Sequence, residues 1–186
     1  LALNPTVQAL MAGNAVLLEQ TFLMEVSEGN WTDALKHAED IVAKDPQDRM
    51  ARMFLSLVEF KRGNIKTADE HIKAASANPI GELTATIVRA WLMQAEGKSK
   101  EALDLLDAPK MPEWAQSFLR YHRALLADVA GRRAEARAAY DRMFKLEQRR
   151  IRTALAFGQH ALNAGDPALA RSTLQMHIER TKSDGH

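Results

Sequence analysis

Apolar residues recur at intervals of three and four along most of the chain. Residues 31–44 carry them at Trp31, Ala34, Leu35, Ala38, Ile41 and Val42, and residues 48–62 carry them at Met50, Met53, Phe54, Leu57, Val58 and Phe60. This spacing is typical of one face of an amphipathic α-helix. No stretch alternates apolar and polar residues for long enough to predict a strand, so we predict an all-α protein.

The helical pattern is divided by glycines at a constant interval. The glycines Gly29, Gly63, Gly97, Gly131 and Gly165 lie 34 residues apart, and each is followed five residues later by an alanine: Ala34, Ala68, Ala102, Ala136 and Ala170. A glycine can take the left-handed conformation that ends a helix, which costs other L-residues about 1–2 kcal/mol. An alanine lets two helices cross closely. The interval therefore predicts five helix pairs, each with a glycine in its turn.

Four Asn-Pro or Asp-Pro pairs punctuate the pattern. An Asn or Asp side chain can cap the first N–H groups of a helix, and proline fits the first turn without losing a hydrogen bond. We therefore predict helix starts at Asn4-Pro5, Asp45-Pro46, Asn78-Pro79 and Asp166-Pro167.

A pair of helices with this glycine, this alanine and this period resembles the tetratricopeptide repeat family. Small residues seven positions before four of the glycines support the resemblance: Ser56, Ala90, Ala124 and Gly158. The first repeat has Phe22 at that place, and Arg89 and Arg123 stand where the family prefers a large apolar residue. The resemblance implies a right-handed superhelix of stacked helix pairs, an α-solenoid, whose first helices line a concave groove.

We divide the chain on the basis of the repeat. Residues 1–14 are predicted as the remnant of a preceding helix and turn, 15–182 as the array, and 183–186 as a frayed tail. The predicted repeats are 15–48, 49–82, 83–116, 117–150 and 151–182. Because the chain opens on Leu1, we expect a piece of a longer bacterial protein. An accessory domain, whose chemistry lies elsewhere in that protein, is therefore an alternative function. The compartment stays open, and the style of repeat at residues 121–132 favours the periplasm over the cytoplasm.

The composition of the chain and the motifs that it lacks exclude several kinds of catalytic and metal site. The chain has no cysteine, which excludes disulfides and thiolate zinc sites. It has no phosphate-binding glycine loop, no nucleophile elbow and no His-Glu-x-x-His pair. His37 and His71 are one period apart, but no further ligand recurs with them, so we interpret them as structural. We therefore expect no enzyme, no cofactor and no metal, and no stretch is apolar for long enough to predict a membrane span.

Positive charge gathers in one region. Ten of the 25 Lys and Arg residues lie within residues 120–152, against four acidic residues there. This allows nucleic-acid binding as an alternative function. A nearly neutral chain, with arginines on several helix faces, argues instead for a solvated or protein-facing surface.

The candidate binding site lies on the first helix of each pair. The resemblance implies that residues ten and six before each turn glycine face the groove. In the middle three repeats these are entirely apolar: Met53, Leu57, Ile87, Trp91, Tyr121 and Leu125. Trp114 and Phe118 extend the line on one helix face.

Three interpretations of these residues stay open. They belong to the core, or they form a groove for an extended or helical apolar segment of a partner protein, or they are exposed to solvent and bind nothing. The groove lacks the Lys, Asn and Arg set of family members that grip an acidic chain end. Apolar surface at the ends of the array would also permit a homo-oligomer.

Overall fold

The computed structural model describes residue 6 and residues 14–107, 111–146 and 150–182, and these contain ten helices and no strand. The helices are α1 (Ala15–Glu28), α2 (Trp31–Lys44), α3 (Arg49–Lys61), α4 (Ile65–Ala74), α5 (Pro79–Ala95), α6 (Ser99–Asp107), α7 (Glu113–Val129), α8 (Arg133–Leu146), α9 (Ile151–Asn163) and α10 (Pro167–Lys182). The all-α prediction is confirmed. The predicted terminal segments, 1–14 and 183–186, lie almost wholly outside the described residues, as does Asn4-Pro5.

The chain divides into two compact units, residues 1–92 and 93–186. In the N-terminal unit α1 packs against α2, α2 against α3, and α3 against α4. In the C-terminal unit α6 packs against α7, α7 against α8, α8 against α9, and α9 against α10. Odd-numbered helices are therefore the first helices of the pairs, and even-numbered helices are the second.

The turn glycines adopt the predicted conformation. All five have φ between 75° and 83°, and no other described residue has a positive φ. At the first turn the amide of Gly29 donates to the carbonyl of Val26, and the amide of Asn30 donates to that of Glu25. These bonds satisfy carbonyls that a helix end would leave unpaired. A short turn of this kind returns the second helix along the first.

The five alanines all lie on the second helices of the pairs, and all are buried. In the second pair the hydroxyl of Ser56 donates to the carbonyl of Ala68 across the crossing, at 2.8 Å. Two small residues thus bring α3 and α4 close enough for a direct hydrogen bond. In the first pair Phe22 replaces the small residue, and its ring meets Phe54 edge to face with centroids 5.4 Å apart.

Two of the predicted helix starts are confirmed and one is wrong. Asn78 accepts from the amide of Gly81 at 2.8 Å, and Asp166 accepts from that of Leu169 at 3.0 Å. Asp45, in contrast, ends α2, and its side chain accepts from Gln47 within a turn. The cap of α3 is Asp48, which accepts from Ala51 at 2.8 Å. Two Asp residues stand near this boundary: the earlier one closes α2, and the later one caps α3.

Gly81, in the first turn of α5, is required by a close approach. A Cβ atom added there would overlap the backbone carbonyl oxygen of Ala75, which cannot rotate away. Gly158, also helical, differs because an added Cβ would only touch the side chain of Leu174 at 3.6 Å. Alanine substitution at Gly158 therefore serves as the control for alanine substitution at Gly81.

We expect Gly81→Ala to lower the free energy of unfolding by about 1–3 kcal/mol, because the new methyl group overpacks a backbone contact. Gly158→Ala should be neutral or stabilising by up to about 1 kcal/mol, because alanine is the better helix former. Urea denaturation followed by circular dichroism measures both. Equal effects of the two substitutions would contradict the close approach at Gly81.

Candidate functional site

The seven predicted groove residues all lie at least partly on the surface. Leu57 and Phe118 are 49% and 47% exposed, and the other five are half-buried: Met53, Ile87, Trp91, Tyr121 and Leu125. The residues that precede the turn glycines by seven positions are buried in every pair. One face of each first helix therefore closes the pair, and another face remains accessible.

The C-terminal unit carries the longest apolar line. We call Trp114, Phe118, Tyr121 and Leu125 on α7 the α7 stripe. Their spacings of four, three and four keep them on one side of the helix, and Trp114 is as exposed as Phe118. On the neighbouring first helix, α9, Leu155 is also exposed. The stripe thus presents apolar surface over about three helical turns.

Two hydrogen bonds connect α7 to α9. Near the beginning of the stripe, Nη1 of Arg150 donates to Oγ of Ser117 at 3.3 Å. Beyond its end, Nδ1 of the buried His160 lies 2.9 Å from Oδ1 of Asp128. The two first helices are therefore joined once within the first turn of the stripe and once beyond its end, which restricts its conformational freedom. Sequence reasoning missed both contacts, because they join residues 33 and 32 positions apart rather than one full period.

An aromatic core supports this part of the C-terminal unit. The rings of Tyr140 and Phe157 stack with centroids 5.9 Å apart, and Phe144 meets Phe157 at 6.0 Å. Burial raises the pKa of the Tyr140 phenol above its usual range, with a further contribution from the nearby Asp128. The aromatic core therefore comes close to the half-buried Tyr121 of the stripe, whereas Trp114 and Phe118 stay exposed.

In the N-terminal unit the candidate residues are less uniform. Leu57 on α3 is exposed, as is Leu23 at the equivalent position of α1. Met53 packs against the cluster of Ala68, Ile72, Ala75, Ala85 and Leu92. Met53 is therefore partly core and partly surface.

The two arginines at positions that the family gives to apolar residues form ion pairs. Nε of Arg89 on α5 lies 2.7 Å from Asp69 on α4, and Lys73 also contacts that carboxylate. In the C-terminal unit Nε of Arg123 lies 2.7 Å from Asp107, and its Nη2 lies 2.9 Å from Glu135. Each arginine thus bridges neighbouring helices with charge in place of apolar packing.

Much of the basic region 120–152 is engaged with carboxylates. Besides Arg123, four of its members form ion pairs in the described part of the chain: Arg120 with Glu113, Arg132 with Glu135, Arg137 with Asp166, and Lys145 with Asp141. Within residues 14–107, 111–146 and 150–182, no ion pair is found for Arg133, Arg142 or Arg152. Arg149 lies outside the described residues. This pairing reduces the positive charge that a phosphate backbone would meet.

Of the two histidines one period apart, His71 contacts an arginine on a neighbouring helix. Nδ1 of His71 lies 2.9 Å from Nη1 of Arg52 and must accept a hydrogen bond from that guanidinium. Burial and the charge of Arg52 lower the pKa of His71. No cluster of three or more His, Asp or Glu side chains with metal-binding geometry occurs among the described residues.

None of the described helices combines the length and the apolar composition needed to cross a membrane.

Comparison with known proteins agrees with the helix-pair architecture. Residues 7–152 match the tetratricopeptide repeat-like domain family. No curated protein matches the chain. Three solved structures show the same fold at low sequence identity.

The chain is similar to a thermophilic tetratricopeptide repeat protein of Thermus thermophilus, with 20% identity, a TM-score of 0.66 and coverage of 92% of this chain and 93% of that one. It is similar to PilW, a widely conserved type IV pilus biogenesis factor, with 14% identity, a TM-score of 0.66 and coverage of 90% and 78%. It is also similar to MamA of Desulfovibrio magneticus RS-1, with 15% identity, a TM-score of 0.58 and coverage of 92% and 97%.

The contrast between stripe and core predicts a difference in stability. Phe157 is only 2% exposed. Changing it to Ala should lower the free energy of unfolding by about 3–5 kcal/mol, because a cavity remains. Phe118→Ala should cost less than about 1 kcal/mol, because nearly half of that side chain already contacts water. Chemical denaturation of both variants measures the difference. A cost for Phe118→Ala equal to that for Phe157→Ala would show that the stripe is core.

The arginine bridges predict a pH effect. Burial opposes ionisation of Asp69, but hydrogen bonds from Lys73 and Arg89 outweigh it, so the pKa of Asp69 is lowered on folding. A lowered carboxyl pKa stabilises the fold above the unfolded pKa, and this stabilisation is lost as pH falls through the folded pKa. Arg89→Gln should therefore raise the pKa of Asp69 and destabilise the protein at neutral pH.

The stability difference between wild type and Arg89→Gln should disappear in acid, once Asp69 is protonated in both. A carbon-detected NMR titration of the Asp69 carboxyl measures the pKa directly. Lys36→Gln removes an exposed charge from a different ion pair, with Asp33, and serves as the control. An unchanged Asp69 pKa in Arg89→Gln would refute the bridge.

Proposed function

Because the chain belongs to the tetratricopeptide repeat-like family, we propose that it is a non-catalytic scaffold that binds an apolar segment of a partner protein. Proteins of this family are generally interaction modules built from stacked helix pairs. The proposed site comprises the exposed apolar faces of the first helices. The observation that carries the proposal is the α7 stripe, which presents apolar side chains to solvent beside an exposed Leu155.

The chemistry of the stripe suits an apolar partner. Binding energy at protein interfaces concentrates in a few large residues that become fully desolvated, with Trp and Tyr enriched among them. Trp114, Phe118 and Tyr121 supply three aromatic side chains on one helix side. A helix or extended segment that places apolar side chains against them would remove this surface from water.

The hydrogen bonds between α7 and α9 favour a preformed site. Ser117–Arg150 and Asp128–His160 hold the two first helices together without a ligand. A site ordered before binding loses less conformational entropy when the partner arrives. We expect the partner, rather than the scaffold, to change shape.

The predicted groove residues of the N-terminal unit fit the same function. Leu57 is the exposed member, and Met53, Ile87 and Trp91 are half-buried. We propose that this second group of apolar residues contributes further contacts to a partner segment.

Site-directed photocrosslinking tests the proposal. We expect a benzoylphenylalanine placed at Phe118 to capture a discrete partner in the native cell. The same group at Ile178, an equally exposed position on the second helix α10, should capture none. The crosslinked partner segment, made as a peptide, should bind the Phe118→Ala/Tyr121→Ala variant at least about tenfold more weakly than wild type.

The matched control is Ile178→Ala, which should leave the dissociation constant of that peptide unchanged. Affinity should vary little with salt, because the contact is apolar, whereas a phosphate contact weakens steeply as salt rises. Equal losses in the two variants would refute the site. Captured nucleic acid with salt-sensitive binding would favour the alternative function through residues 120–152.

A further inference from the structure

A cleft of about 390 Å³ lies between α7 and α8 in the C-terminal unit. We call it the α7–α8 cleft. Its α7 residues, Arg120 and Arg123, are displaced from Tyr121 by roughly 100° and 160° around the helix. The α7–α8 cleft therefore opens on a different side of α7 from the stripe, and the two surfaces can be tested separately.

The floor of the α7–α8 cleft is apolar. Ala138, Ala139 and Met143 on α8 line it, and Met143 is buried. Two alanines side by side leave space above the helix where larger residues would fill it. An apolar side chain of moderate size could therefore pack against this floor.

One side of the cleft carries carboxylates that are already neutralised. Arg123 contacts Asp107 at 2.7 Å and Glu135 at 2.9 Å, and Arg132 contacts Glu135 at 3.4 Å. The pKa of Glu135 agrees with this geometry, because the hydrogen bond from Arg123 lowers it. These two acids are thus satisfied within the fold and would not attract a cationic ligand.

The positive charges of the other two arginines of the cleft, Arg120 and Arg142, are less neutralised by neighbouring carboxylates. Arg120 has its carboxylate at 3.6 Å, on Glu113, whose side chain is 88% exposed. Arg142 is exposed and forms no ion pair with any residue in the described ranges. Exposed pairs of this length contribute little, so two guanidinium groups beside an apolar floor are available to a ligand.

We propose that the α7–α8 cleft binds an acidic side chain, Asp or Glu, that stands next to an apolar residue on a partner protein. The carboxylate would accept hydrogen bonds from Arg120 and Arg142, since guanidinium groups match the planar geometry of a carboxylate. The neighbouring apolar side chain would cover Ala138, Ala139 and Met143. Among the described residues that line it, none offers an aromatic ring on which a nucleic-acid base could stack, which favours a protein ligand over RNA.

Phage display of random short peptides tests the proposal without knowledge of the partner. Selection runs in parallel on wild type, on Arg120→Gln/Arg142→Gln and on Arg133→Gln/Arg152→Gln. The last variant removes the same charge from two exposed arginines that do not line the cleft. Arg123 is left in place because its ion pairs connect the helices.

We expect wild type and the Arg133→Gln/Arg152→Gln control to enrich peptides that pair Asp or Glu with an apolar residue. The dissociation constant of the best peptide should rise at least about tenfold in Arg120→Gln/Arg142→Gln and change less than about twofold in the control. A Glu→Gln or Asp→Asn version of the peptide should lose binding similarly. Amide shifts of Ala138 and Ala139 in NMR spectra should report the bound peptide.

Three results would overturn the proposal. The first is enrichment of no acidic motif on wild type. The second is an equal loss of peptide binding in both double variants, which would show only a response to net charge. The third is binding of a single-stranded oligouridylate with the same dependence on Arg120 and Arg142, which would make the cleft a phosphate site.

Discussion

The close crossing of the two helices in each pair is the constraint on which the rest of the structure depends. At the α3–α4 crossing the side chains are so small that Ser56 reaches the backbone carbonyl of Ala68 directly. A larger residue at either position would separate the helices by overpacking. The left-handed glycine turn complements the crossing, because it returns the second helix at once along the first.

This constraint divides the surface of each first helix by function. The face that meets the second helix must be small or tightly packed, as at Ser56 and Ala124, and it cannot vary freely. The opposite face carries no such requirement, and there the repeats differ. On α7 this face carries Trp114, Phe118 and Tyr121. Exposing such large apolar side chains to water is unfavourable unless they serve as an interaction surface. Variation beside a fixed scaffold is what allows one architecture to recognise different partners.

Ion pairs also connect neighbouring helices in this protein. Arg89 and Arg123 stand where the family prefers apolar residues, and both bridge adjacent helices through carboxylates. Because Arg123 engages two acids at once, it neutralises one side of the α7–α8 cleft and leaves Arg120 and Arg142 to define the charge of the other. A basic sequence region is thus partly internal scaffold and partly accessible surface.

The sequence by itself determined the helix pairs, their turns and their crossings, because a left-handed glycine and a buried alanine act within a few residues and recur every 34. It also selected the apolar line that includes Phe118. Only the tertiary structure decided that Phe118 is exposed while Phe157 is buried, that Asp48 rather than Asp45 caps α3, and that Asp128 meets His160. The reason is physical: a helical period tells which residues share a face, but which faces become covered, and which distant side chains meet, depends on how the helices pack.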